Sequence, residues 1–116
     1  MAVISAHGDI DASKAGTLID LAVAHGSRCR GLVLDLSGLD FFGTEGFSAL
    51  HRVSVLCARV GTGWAMVPGA AVTRVLWICD PQGSLPTANT VEGAMATFPG
   101  LPSQRLQLIT NPTRTG

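Results

Sequence analysis

The sequence predicts a single α/β domain, and three observations predict it. The run Leu32-Val33-Leu34-Asp35-Leu36 is almost continuously apolar, as in a strand buried on both faces. Just downstream, Phe47, Leu50, Val53, Cys57 and Val60 recur at helical spacing. The same alternation extends to either side, in the order β-α-β-α-β-α-(β)-α. That order demands helices layered over a sheet, joined by right-handed crossovers.

The elements follow in turn. Val3-Ile4-Ser5-Ala6 is a short first strand, and Gly8-Asp9-Ile10-Asp11 reads as a turn. Asp11 or Ser13 can cap the helix that follows, Ala12 to His25. Ala15, Leu18, Ile19 and Ala22 form its inner face, and Gly26 is placed as its C-terminal cap. Arg30 to Ser37 is the clearest strand, with Gly43 to Gly46 as the turn into the second helix. Gly61 closes that helix. Trp64-Ala65-Met66-Val67 is a short buried strand stopped by Pro68-Gly69. Val72, Val75, Leu76 and Cys79 mark a third helix, ended by Asp80-Pro81. Leu85 to Ala88 carries a proline and suits only a sheet edge. Thr90 caps a last helix, Val91 to Phe98. The segment 99–116 is a proline-containing tail in which Gln104 to Ile109 can add a strand and Asn111 to Gly116 frays.

Composition narrows the function. The 116 residues are 47% hydrophobic and 14% charged, enough for one core without metal or disulfide staples. Eight basic and eight acidic side chains cancel, so no field of one sign attracts nucleic acid or anionic lipid. A protein partner or a small ligand fits better. The first residues lack the pattern of a signal peptide, and no apolar stretch of about 20 residues spans a membrane. The expected location is the cytoplasm. Cys29, Cys57 and Cys79 are widely spaced and read as reduced, mostly buried apolar residues, with a redox switch as the alternative.

Catalytic signatures are lacking. His7, His25 and His51 have no metal-ligand spacing with the cysteines. There is no phosphate-binding loop, dinucleotide fingerprint or nucleophile elbow. Gly43-Thr44-Glu45-Gly46 offers a threonine without an adjacent base. No enzyme activity, cofactor or metal is expected. The same turn suits a helix start in which Thr44 caps and Glu45 lies where the helix dipole favours negative charge.

Three stretches carry a resemblance. They are Gly8-Asp9-Ile10-Asp11, the strand Leu32-Val33-Leu34-Asp35-Leu36-Ser37-Gly38-Leu39, and the helix opening Phe41 to Leu50. Over roughly residues 3–98 the chain resembles the STAS domain of bacterial anti-sigma factor antagonists and sulfate transporter tails. It is most specific at the Asp35 strand and the helix opening. The resemblance implies an α/β fold with a mixed sheet of four or five strands packed with about four helices, spanning 1–98. The first strand is shorter than the family's. It also implies transcription regulation, in settings such as the stress response, through binding of a kinase-like anti-sigma factor. In the family, phosphorylation of the second serine of Asp-Ser-Ser-Gly switches that binding off. Here those positions are Gly43, Thr44, Glu45 and Gly46. Glu45 cannot accept a phosphoryl ester and resembles a permanently phosphorylated side chain. Thr44 keeps an acceptor hydroxyl.

The expected partner surface is Asp11, Gly43, Thr44, Glu45, Gly46, Ser48 and Arg52, with the two glycines letting a partner backbone approach. The rival reading is a sensor or ligand-binding STAS module.

Overall fold

The computed structural model describes residues 1–26 and 29–110. The elements are β1 (Ala2–Ile10), α1 (Ala12–Gly26), β2 (Gly31–Phe42), α2 (Thr44–Val60), β3 (Gly63–Val67), α3 (Gly69–Cys79), α4 (Val91–Met95) and β4 (Gln104–Thr110). They build one sheet in the order β3-β2-β1-β4. β2 is flanked by the strands at Val3 and Trp64, as its apolar run requires. The resemblance implies a mixed sheet, but all four described strands run parallel. β2, β3 and β4 are each reached through a helix-bearing crossover, which returns the chain to the same end of the sheet.

Two apolar layers result. On one face, α1, α2 and α3 cover Ala2, Ile4, Leu32, Leu34 and Met66 with Leu18, Leu50, Val53 and Val72. On the other, α4 and the residues after it cover Met1, Val3, Val33, Ala65 and Val67 with Ala94 and Phe98. Phe98 lies across two strand starts. A side chain at Gly31 would bring its Cβ to 2.9 Å from this ring, and one at Gly63 to 2.7 Å.

β1 and β2 are longer than local composition suggests. Gly8-Asp9-Ile10 reads as a turn but continues β1, because it pairs with Leu39, Phe41 and Phe42 of β2. The register slips between Ser5 and His7 and again between Gly8 and Asp9, so the 11 residues of β2 from Leu32 to Phe42 run beside the 9 of β1. Asp35 ties the first irregularity: its Oδ1 accepts from Ser37 N at 3.1 Å and Ser37 Oγ at 2.6 Å. Gly8 serves the second with φ 94°, a conformation open to glycine.

Other ends also differ. Gly26 is the last residue of α1 rather than a left-handed cap. Its carbonyl accepts from Thr62 Oγ1 at 3.0 Å and Cys29 N at 3.2 Å. Gly61 does cap α2 in the left-handed region, with φ 73°. Thr90 caps α4 as expected, accepting from Gly93 N at 2.9 Å, but α4 stops at Met95 instead of Phe98. The Leu85 segment touches the outer edge of β3 through the single bridge Met66–Thr87. β4 lies within the segment assigned to the tail, yet it pairs with β1 over its whole length. The expectation for Asn111 to Gly116 lies outside the described residues.

All three cysteines are free; Cys57 is buried, and Cys29 and Cys79 are half-buried. Burial pushes the Cys57 thiol above its ordinary pKa. No described helix is long and apolar enough to cross a membrane.

Candidate functional site

β1 and β2 end side by side, with Ile10 paired to Phe42 and Gly43 N donating to Ile10 O at 3.0 Å. Both strands pass directly into helices. The starts of α1 and α2 are therefore neighbours at the C-terminal edge of a parallel sheet. This brings Asp11 beside the Gly43 turn, as the sequence reading requires.

Asp11 sits in front of α1. Its Oδ1 accepts from Ser13 N at 3.0 Å and Ser13 Oγ at 2.6 Å, and its carbonyl accepts from Ala15 N at 3.0 Å. The Ser13 hydroxyl bond is the main reason its carboxyl titrates below the ordinary aspartate value; the Ser13 amide and the Lys14 charge act in the same direction. Of the two capping candidates, Asp11 is the acceptor and Ser13 its donor.

α2 starts differently, and two expectations are corrected. Thr44 does not cap it. The capping position is Gly43, in extended conformation (φ −87°, ψ 175°), and no side chain bonds to the helix start. The bond from Gly43 N to Ile10 O holds Gly43 in line with the strand, which makes Thr44 the first helical residue. Gly46 is not open to a partner either. It is buried, and a Cβ there would lie 2.5 Å from the Phe42 ring. Its missing side chain lets α2 sit down on β2.

The remaining positions are accessible. Thr44, Glu45, Ser48 and Arg52 are exposed, and Gly43 is half-buried. Glu45 lies in the first turn, where its charge suits the helix dipole. A Cβ at Gly43 would stand 2.9 Å from Glu45 Oε1 and 3.5 Å from Phe41 Cε2, so carboxylate and ring flank the bare glycine.

Phe41 borders the candidate site, and the sequence reading did not name it among the partner residues. It is 51% exposed while Phe42 is buried in the core. Strand alternation carried through Asp40-Phe41-Phe42 would have found it, because adjacent strand residues face opposite ways. Val55, on the outer face of α2 beyond Ser48 and Arg52, was missed for the same lack of a face assignment. No group of three His, Cys, Asp or Glu among the described residues is placed to hold a metal ion.

The chain with this fold matches a known family. The chain belongs to the STAS domain family, whose model matches residues 1–94. It is similar to the anti-sigma-F factor antagonist RsfA of Mycobacterium tuberculosis, 34% identical over 98 residues, covering 81% of this chain and 77% of that protein. Osmosensory protein A of Mycobacterium tuberculosis is 29% identical over 111 residues, covering 92% of this chain and 70% of its own. Among solved structures, the fold is shared with an anti-sigma factor antagonist from Mycobacterium paratuberculosis. That structure has a TM-score of 0.70 and 24% identity, covering 81% of this chain and 84% of that one.

Proposed function

We propose that this protein is a non-catalytic anti-sigma factor antagonist, acting in the cytoplasm. It docks a kinase-like anti-sigma factor on the start and outer face of α2 and on the Asp11 turn. Kinship with RsfA supports the partner class. The observation that carries the reading is Glu45, exposed in the first turn of a helix that no side chain caps. A docking surface there meets backbone N–H groups and one fixed negative charge. A kinase cannot modify position 45. Thr44 makes no capping bond, so its hydroxyl is the acceptor left at this turn. Phe41, half-exposed beside Gly43, supplies the aromatic anchor such interfaces favour.

Titration calorimetry against the kinase-like anti-sigma factor from the same cell tests this. Saturable one-to-one binding is expected, weakened by at least about 1 kcal/mol in Phe41→Ala. No heat with any such factor, or equal affinity for Phe41→Ala, contradicts the proposed surface.

A second reading, a ligand-binding sensor module, draws on a cleft of about 110 Å³ between α1 and α2. Ala22, Val23, Leu56, Cys57 and Val60 make it apolar, with Arg59 at its edge. The kinship with osmosensory protein A supports the same reading. Under it, filling the cleft with Ala22→Leu abolishes the response to the ligand and leaves docking at Phe41 intact.

A further inference from the structure

α3 faces the core with Ala71, Val72, Val75 and Leu76. Its outer face carries Ala70, Arg74, Trp77 and Ile78, continued by Pro81, all exposed. Trp77 is 75% exposed and Ile78 82%, far more than Phe41 at the candidate docking site. Apolar side chains of this size held together in water mark a contact surface. Beside them lies a hollow of about 350 Å³, whose lining includes Thr73, Leu76, Trp77, Asp80, Pro81 and Leu85. Trp77 stands at the rim of this hollow and leaves it open.

A projecting ring next to an open hollow has a symmetry consequence. Where knob and hole lie far apart on a surface, copies join head to tail, into a ring if the rotation closes and an open filament if it does not. Where they adjoin, a two-fold axis places each knob in the other's hole, and the contact closes with two copies. The charges agree with that axis. Arg74 lies three residues before Trp77 and Asp80 three after. In antiparallel packing of α3 on α3 centred at Trp77, Arg74 of each copy faces Asp80 of the other. Asp80 is fixed by its own loop with acceptor capacity to spare. Its carboxylate accepts from Ser84 N at 3.0 Å, Ser84 Oγ at 2.7 Å and Leu85 N at 3.1 Å, and a carboxylate has about four acceptor sites. The chain's net charge of zero sets up no overall repulsion between copies.

We propose that this chain forms a two-fold dimer through α3, with Trp77 of each copy seated in the hollow beside Trp77 of the other. The proposal stands apart from the partner reading, since it uses α3 and leaves the α1 and α2 starts free.

Sedimentation equilibrium from micromolar to millimolar protein tests it, with tryptophan emission read alongside in a Trp64→Phe background. The mass is expected to rise from 12.0 kDa toward twice that value, with a concurrent blue shift of Trp77. Trp77→Ala is expected to weaken dimerisation about thirtyfold or more, the size of a hot-spot loss. Arg74→Glu should weaken it at low salt, and less as salt rises. Both side chains are exposed, so circular dichroism and the thermal midpoint of the variants should match the parent. A monomer mass at every concentration overturns the proposal. So does an open-ended series of masses, or a dimer that Trp77→Ala leaves unchanged. A blue shift that comes only with added phosphatidylcholine vesicles also overturns it, in favour of a lipid occupant.

Discussion

α1 and α2 leave adjacent strands at the same edge of the sheet, yet their first turns are capped differently. α1 is closed by its own side chains: the Asp11 carboxylate accepts from the backbone N–H and the hydroxyl of Ser13. α2 opens on a glycine without a side-chain cap, with Glu45 in its first turn. A capped start stabilises its helix locally. An uncapped start leaves backbone donors and a charge for something outside the chain. The contrast teaches that equivalent positions in a βα repeat need not share a job. The sheet supplies placement, and under the proposed function the capping chemistry separates structure from recognition.

The comparison can be broken most forcefully from beneath α2. Gly46→Val pushes a branched side chain against the Phe42 ring, where even a Cβ comes to 2.5 Å. Overpacking of this kind should cost about 3 kcal/mol, read as a lower denaturant midpoint at unchanged slope. At Gly16 in α1 a Cβ meets nothing within 4 Å, so Gly16→Val should stay near the parent.

A smaller effect separates the two caps. Asp11→Ala removes the acceptor for two bonds and should lower the thermal midpoint by a few degrees. Thr44→Ala should leave it unchanged, because Thr44 makes no cap bond. Equal losses from both would erase the distinction.

Acid gives the smallest effect. The folded-state pKa of Asp11 is depressed, first by the Ser13 hydroxyl. That of Asp80 is depressed too, first by the Ser84 hydroxyl. Depressed carboxyls contribute stability that is fully present above their unfolded pKa, 3.8 for each, and lost as pH falls through the folded values. Asp11 is exposed and Asp80 only partly covered, so the loss should be slight and confined below about pH 4. Carbon-detected NMR titration of the two carboxyls should show midpoints below those of a denatured reference.

How far these differences could be read from the chain varies by feature. The alternation of elements was legible, because buried faces impose their periods on Ala15-Leu18-Ala22, Val53-Cys57 and Val72-Leu76. The Thr90 cap was legible because its acceptor and donor lie three residues apart. What depended on distant pairing was not. Gly8-Asp9-Ile10 has turn composition, and only β2 makes it strand. Thr44 and Asp11 are both good capping residues by type, but the long-range bond from Gly43 N to Ile10 O makes Gly43 the cap of α2. β4 follows a proline-rich stretch and gains its order from β1. In the candidate site, the position of the helix start beside Asp11 and the exposure of Glu45 were legible, whereas the exposure of Phe41 needed the strand to run on to Phe42.

The central claim is that Glu45 at the open start of α2 acts as a fixed phosphate-like charge. Glu45→Ser removes that charge and restores a hydroxyl, and it should cost little stability, since only the dipole term of roughly 0.3–1 kcal/mol is lost. Calorimetric titration of both proteins with the anti-sigma factor tests the claim most directly. The account predicts tighter binding of Glu45→Ser by about 1–3 kcal/mol, the usual size of such a coupling. Weaker binding of the variant would contradict it, and would make Glu45 an attractive contact to a cationic residue of the partner.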